Sequence, residues 1–427
     1  MVNRILSRLN APQKFTGDVL WNLGSFAILA VMGVLINLTI TIIFGVSVLG
    51  VYNQIYSIYI LFSQVAVAGI HLSILRHTPQ YSLEHETLDA IILSGLGLTS
   101  LTAILTVLLV FFAKSLIGNI LGSEKVSIGL AYVLPALFFF AINKVILAFV
   151  NARRQMKAYA VFQSLRYLMI YGFLVLFGLL HFDVDRLPLI FSFSEFVLFI
   201  ILSFVVLKNI RWVDFSKIKK WGKTHFHFGF QAIWGNLITE FNSKVDVLIL
   251  GIFASDSITG IYSFASNLAT GLNQLPIVIS AILNPMVTKI FFSKGKEGLE
   301  SFIKKGIKYS YLGIAPFGLL TFIVFFFISH FWNNPVIVQG VIPFGILTLG
   351  FILSSGYQPF QMVLNQTGFP ANQSVFMLLV FISSILLNFV FASCFNMIGS
   401  ALAMALLMLC QVVYLKIFVK KALSIKI

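Results

Sequence analysis

Charged residues make up only 10% of this 427-residue chain, where a water-soluble domain carries about a quarter. With 59% of the residues hydrophobic, 15% aromatic and a mean hydropathy of +0.97, a soluble globule is excluded. Cysteine is nearly missing. Cys394 and Cys410 each fall inside an apolar run, so there is no disulfide framework and no metal-ligand spacing. The chain has no GxxxxGK[ST] loop, which excludes ATP hydrolysis of that kind, and no HExxH or CxxC. Long polar loops are also lacking. The widest outside stretch, between Phe112 and Gly129, is too short for the large catalytic loop of a membrane-embedded glycosyltransferase or polymerase. Asp183 and Asp185 form an acidic pair, but in a still shorter loop. The expectation is therefore no enzyme, no catalytic residues, no metal and no cofactor.

What the chain has instead is apolar length. A hydrocarbon core ~30 Å thick needs about 20 apolar residues per helical crossing. Twelve such runs occur, at 19–44, 48–75, 90–112, 129–150, 161–180, 187–207, 228–253, 258–286, 309–328, 336–364, 374–395 and 398–419. Barrel strands would alternate over about ten residues, and these runs do not. The fold class expected is an all-α integral membrane protein of about twelve transmembrane helices.

Basic residues orient it, because Lys and Arg are retained on the cytoplasmic side of short loops. With the N-terminus inside, the outside loops hold only Lys114, Lys125 and Arg186, and Lys144 and Lys244 lie within helices. The other members of the 29 fall in inside segments. Both termini are then cytoplasmic, and Met1–Asp18 reads as a basic leader with no removable signal peptide. The net charge of +15 thus reflects juxtamembrane loops facing anionic membrane lipid, and nucleic acid is not an expected partner.

An internal repeat divides the chain. SVLGVY (Ser47–Tyr52), followed by Ser63 and Gln64, matches SITGIY (Ser257–Tyr262), followed by Asn273 and Gln274. Trp21, Asn22 and Leu23 likewise resemble Trp234, Asn236 and Leu237. Six helices per half gives two pseudo-symmetric lobes of one orientation, related by an axis along the membrane normal. The expected division is 1–207, a basic linker over 208–225, and 226–427, with the lobes around a central cavity.

Polar residues inside a bilayer are costly and tend to face a bundle interior or a water-filled path. In the eighth run Ser263, Ser266, Asn267, Thr270, Asn273 and Gln274 share one helical face. Asn53, Ser57, Ser63 and Gln64 repeat it in the second run, and Ser354, Gln358, Gln361 and Asn365 in the tenth. With Asn236, they are candidates for a polar lining. The same stripes also suit plain helix-to-helix hydrogen bonding.

The seventh run crowds Asn236, Thr239, Glu240, Asn242, Ser243, Lys244 and Asp246 into eleven residues. Glu240 and Lys244 stand at i, i+4, the order that favours a structural ion pair. Asp246 and Glu195, with no cation adjacent in sequence, are candidates for ion or proton coupling, as is Glu240. Lys144 and Arg166 lie inside helices, from which they either snorkel to the interface or hold an anionic head group. Arg153 and Arg154 would stand at the cytoplasmic mouth.

Taken with LGVYNQIYSIY (Leu49–Tyr59), the segment KVDVLILGIFASDSITGIYSFASNLATGLNQLP (Lys244–Pro276), NPMVTKIF (Asn284–Phe291) and the closing Asn396–Lys421, nearly the whole chain resembles the polysaccharide-biosynthesis exporters. These include the Wzx-type O-antigen flippases of the multidrug/oligosaccharidyl-lipid/polysaccharide exporter superfamily. The motifs are diffuse: Asp246, the Gly260-x-Tyr262 opening of the eighth helix and Gly399. The resemblance implies flipping of an undecaprenyl-pyrophosphate-linked oligosaccharide from the cytoplasmic to the periplasmic leaflet of a bacterial inner membrane, by alternating access. It implies the polysaccharide polymerase and chain-length machinery as protein partners. Lys144, Arg166, Arg153 and Arg154 would then serve the pyrophosphate, and the amides and hydroxyls the sugars. A multidrug or small-solute exporter of the same fold is the rival, which Glu240 and Asp246 keep open.

Overall fold

The computed structural model describes residues 13–332 and 334–427; Arg4 and Arg8 of the expected basic leader lie outside them. The helices run α1 (Gln13–Phe44), α2 (Val46–Val67), α3 (Ile70–His77), α4 (His85–Ile120), α5 (Glu124–Ala152), α6 (Met156–Leu179), α7 (Leu189–Val206), α8 (Phe215–Asn242), α9 (Val245–Phe253), α10 (Asp256–Leu272), α11 (Gln274–Phe331), α12 (Pro335–Ser354), α13 (Val363–Gln366) and α14 (Pro370–Leu423). No strand occurs among the described residues. Helices satisfy their own backbone groups, as a chain in hydrocarbon must.

Among the described residues, nine helical stretches are long and apolar enough to cross a membrane. Two of them hold two of the twelve predicted runs each. Asp256–Phe331 covers the eighth and ninth, and α14 covers the eleventh and twelfth. Inside α14 the helix is broken at Asn396, with φ +49° and ψ −129°. Ser383 Oγ lies 2.8 Å from Tyr414 Oη, and Asn388 Nδ2 3.5 Å from Met404 Sδ. A straight helix would put residues 383 and 414 over 40 Å apart at ~1.5 Å per residue, so α14 is a hairpin. A Cβ on Gly399 would overlap the Phe391 carbonyl, which is why glycine follows the turn. The seventh predicted run is divided between α8 and α9, with the break at Ser243–Lys244. The protein is a multi-pass membrane protein.

The chain forms two compact units. The first takes the residues up to Gly45 and Gln54–Glu240. There α4 and α7 pack on α5, and α1 on α6. Apart from Asn143 and Lys144, the middle of α5 is apolar on every side, the pattern of a helix enclosed by others, and most of it is buried whereas most of α4 is not. Pro135 stands inside α5. Beside it Ser192 of α7 inserts into the helix, donating to the Tyr132 carbonyl at 2.7 Å and accepting from the Ala136 N–H at 3.2 Å, so backbone groups next to the proline are satisfied by a side chain.

The second unit takes Val46–Asn53 and Phe241–Ile427, with α9 and α12 packed on α14 and α10 on α12. Its core gathers Val287, Leu299, Ile303, Phe360, Phe376, Leu415 and Val419. Within this unit Gly50 of α2 and Gly260 of α10 meet backbone to backbone. They are the matching glycines of SVLGVY and SITGIY. A Cβ on Gly50 would overlap the Asp256 carbonyl, so the repeated glycine lets two helices approach at the distance of their main chains.

Candidate functional site

In the first unit the charged residues gather where α2, α5, α6 and α7 supply one face each. Phe140, Asn143 and Lys144 stand at i, i+3 and i+4 on α5 and so point the same way. The Lys144 ammonium donates to Gln64 Oε1 of α2 at 2.7 Å and lies 5.7 Å from the Phe140 ring centroid. The Arg166 guanidinium of α6 lies over the same ring at 4.7 Å. Phe140 thus has two cations within reach of its ring, each attracted to the electron-rich face.

The two cations differ in their partners. Arg166 is buried, at 8% exposure, and Glu195 of α7 more so, at 1%. Arg166 Nε lies 2.7 Å from Glu195 Oε1 as a charge contact, and Nη2 donates to Oε2 at 3.4 Å. Asn143 donates to the same carboxylate at 2.8 Å and to the Glu195 carbonyl at 2.9 Å. Gln163 accepts from Nη1 at 3.4 Å. A buried carboxylate needs this kind of pairing and hydrogen bonding. Lys144 instead hydrogen-bonds a neutral amide while half-buried, with Glu240 and Arg166 as the charges whose fields reach it. Arg153 and Arg154 stand exposed past the end of α5, Arg154 with φ +56° and Arg153 over the Phe149 ring at 5.5 Å.

In the second unit Asp246, at 1% exposure, opens α9. Its Oδ2 accepts from Tyr262 Oη and Ser266 Oγ of α10, both at 2.8 Å. Its Oδ1 accepts no hydrogen bond among the described residues. Asn267 donates to Asn53 Oδ1 at 3.2 Å. Gln361 joins Gln358 at 2.6 Å and Gln411 of α14 at 3.0 Å, and its carbonyl accepts from Gln373 at 3.0 Å. Asn273 ends α10, Gln274 stands exposed just beyond it, and Asn236 is half-buried on α8. Between Glu240 and Lys244 the helix is interrupted.

Sequence reading missed Asn143, Phe140, Gln163 and Gln411. Asn143 carried a signal, as an amide beside Lys144 in an otherwise apolar run. Phe140 carried none, being one of 45 phenylalanines.

The sequence pattern of the family described as Polysaccharide biosynthesis protein matches residues 15–291. The chain belongs to that family. None of the curated proteins matches this family member by sequence. Among solved structures it is similar to the lipid II flippase MurJ in an inward closed conformation, with a TM-score of 0.74, 16% identity, and coverage of 94% of this chain and 87% of that one. It is equally similar to an inward-facing multidrug resistance MATE family transporter of the MOP superfamily, with a TM-score of 0.75, 12% identity, and coverage of 93% and 94%. A MOP superfamily transporter from Pyrococcus furiosus, whose binding pocket is described as of reverse polarity, matches with a TM-score of 0.58, 13% identity, and coverage of 93% and 95%. At these identities the likeness establishes the fold, that of the MOP superfamily membrane transporters.

Proposed function

We propose that this polysaccharide biosynthesis family member flips an undecaprenyl-pyrophosphate-linked oligosaccharide, an O-antigen or capsule repeat unit, from the cytoplasmic to the periplasmic leaflet of the bacterial inner membrane. Lys144 carries the reading. It is a cation inside a membrane helix, oriented by Gln64 and the Phe140 ring, and its direct hydrogen bond goes to an uncharged group. Glu240 reaches it through its field, and the ammonium keeps two further N–H donors for a phosphate. Arg166 contributes field from its position over the same ring while Glu195 holds it in place, and Arg153 and Arg154 offer anion contacts at the cytoplasmic end of α5. The amides Asn53, Asn267, Gln358 and Gln361 have the donor and acceptor pairs that sugar hydroxyls need.

The Asp246 carboxylate supports a coupling role, since a buried carboxylate with one oxygen free of hydrogen bonds can take a proton or a small cation. The same observation favours the second reading, a cation-coupled exporter of small solutes. Deleting the gene in its native host separates the two. A flippase predicts loss of surface glycan, with lipid-linked oligosaccharide trapped where an impermeant probe added outside cannot reach it. Normal glycan with altered drug tolerance would establish the exporter. Asp246→Asn should abolish the ion dependence of transport at unchanged protein abundance; retained dependence removes Asp246 from coupling.

A further inference from the structure

α8 presents three chemically different sides. At 3.6 residues per turn, Trp221, His225 and Gly229 share one side, and all three are buried. Trp221 packs edge-on against Tyr81 and His77, and His225 is hydrogen-bonded to Ser73 and the Ile91 carbonyl. The Gly229 backbone lies against that of Ala68 and Gly69.

The second side is exposed and apolar below its lysines. Lys219, Lys223, Phe226, Phe230 and Trp234 follow one another at intervals of three or four, so they form one stripe. Phe226, Phe230 and Trp234 are 61%, 60% and 58% exposed. Their rings touch in sequence, with centroids 6.4 Å and then 6.2 Å apart. The third side adjoins it and is exposed and polar. It carries Lys220, His227 and Gln231, the last two hydrogen-bonded to each other at 3.1 Å.

A ladder of exposed rings belongs in hydrocarbon, and an exposed imidazole and amide belong in water, because unsatisfied polar groups are costly in lipid. The boundary between the two media therefore runs along α8, with Lys219, Lys220 and Lys223 clustered at one end of it. A molecule lying on such a boundary must itself be two-sided, with an apolar chain, a polar head and negative charge where they join. Building on the flippase reading above, we propose that α8 is a sill for the lipid-linked substrate, with its polyprenyl chain on Phe226, Phe230 and Trp234 and its phosphates on Lys220 and Lys223. The polar head then lies toward His227 and Gln231. Lys217 takes no part, being paired with Glu86 at 2.6 Å.

The probe is polyprenyl monophosphate bearing a diazirine in the isoprene units next to its phosphate, photolysed with the full chain in lipid nanodiscs and mapped by peptide mass spectrometry. Adducts should concentrate on residues 226–234 and be competed by unlabelled polyprenyl phosphate but not by phosphatidylglycerol. Lys220→Glu with Lys223→Glu should lower the competed fraction by about tenfold, since each lysine contributes modestly to phosphate attraction at a membrane surface. Replacing Phe226, Phe230 and Trp234 together by Leu keeps the helix apolar, and it should shift adducts away from the stripe. Labelling spread equally over the exposed faces of α4 and α11 would mark ordinary annular lipid and overturn the proposal, as would equal competition by phosphatidylglycerol. Competed labelling found only elsewhere retires the sill but leaves the flippase standing. No competed labelling at all, with normal surface glycan in the deletion strain, retires the flippase reading itself.

Discussion

At the scale of single residues, two neighbouring cations have different partners, and this sets different expectations for their loss. Lys144→Ala removes a charge whose direct hydrogen bond is to a neutral amide, so transport should fall severalfold or more, with the protein still abundant in the membrane. Glycan export measured beside an immunoblot checks this, and unchanged export would retire Lys144 as the phosphate contact. Glu195→Gln is different, because it leaves the buried Arg166 charge without its carboxylate. Breaking a buried ion pair from one side costs about 3–5 kcal/mol, so thermal unfolding in detergent should show a clear loss of stability. The double replacement Arg166→Met with Glu195→Leu should recover most of that stability, because no buried charge is left behind.

Elements explain how those residues are held and where pH acts. Outside the predicted span at 228–253, His225 anchors the start of α8. Its Nδ1 accepts from Ser73 Oγ at 2.8 Å while its Nε2 donates to the Ile91 carbonyl at 3.1 Å, an arrangement that suits the neutral ring. Burial pushes its pKa from the usual 6.5 down to about 4, with the Ile91 hydrogen bond opposing and His77 reinforcing the fall. The unfolded ring takes up a proton first, so this group's contribution is whole above pH 6.5 and declines as pH falls from 6.5 toward 4. The full difference is about 3 kcal/mol at ~1.4 kcal/mol per pKa unit. His225→Gln should flatten the stability profile between those limits, as read from unfolding midpoints over pH. A profile as steep as the parent's would place the titration elsewhere. The helix termini also show what sequence could and could not give. Twelve apolar runs were legible because hydrocarbon demands length. The turn at Asn396 was legible too, falling in the gap between the runs 374–395 and 398–419, whereas the divisions at Ser243 and Asn273 were not, since they lie inside continuous runs and nothing in apolarity marks a break there.

For the whole molecule, the arrangement of basic residues predicts that both ends of the chain face the cytoplasm. A reporter active only in the cytoplasm, fused after Ile427, should be active, and one active only outside should work when inserted near Lys125. The opposite pattern would invert the transport direction proposed for the chain. The sequence by itself determined that this is a many-helix membrane protein with a repeated half and with polar residues placed in its helices. Each of these follows from local chemistry: apolar length, charge asymmetry, and a motif such as SVLGVY that recurs as SITGIY. Only the tertiary structure decided which groups became partners. Arg166 and Glu195 are 29 residues apart, Lys144 and Gln64 are 80 apart, and Asp246 meets Tyr262 and Ser266 from the next helix. Burial and pairing depend on which helix faces lie against each other. Packing settles that, because periodicity shows only that a face exists and not what it meets.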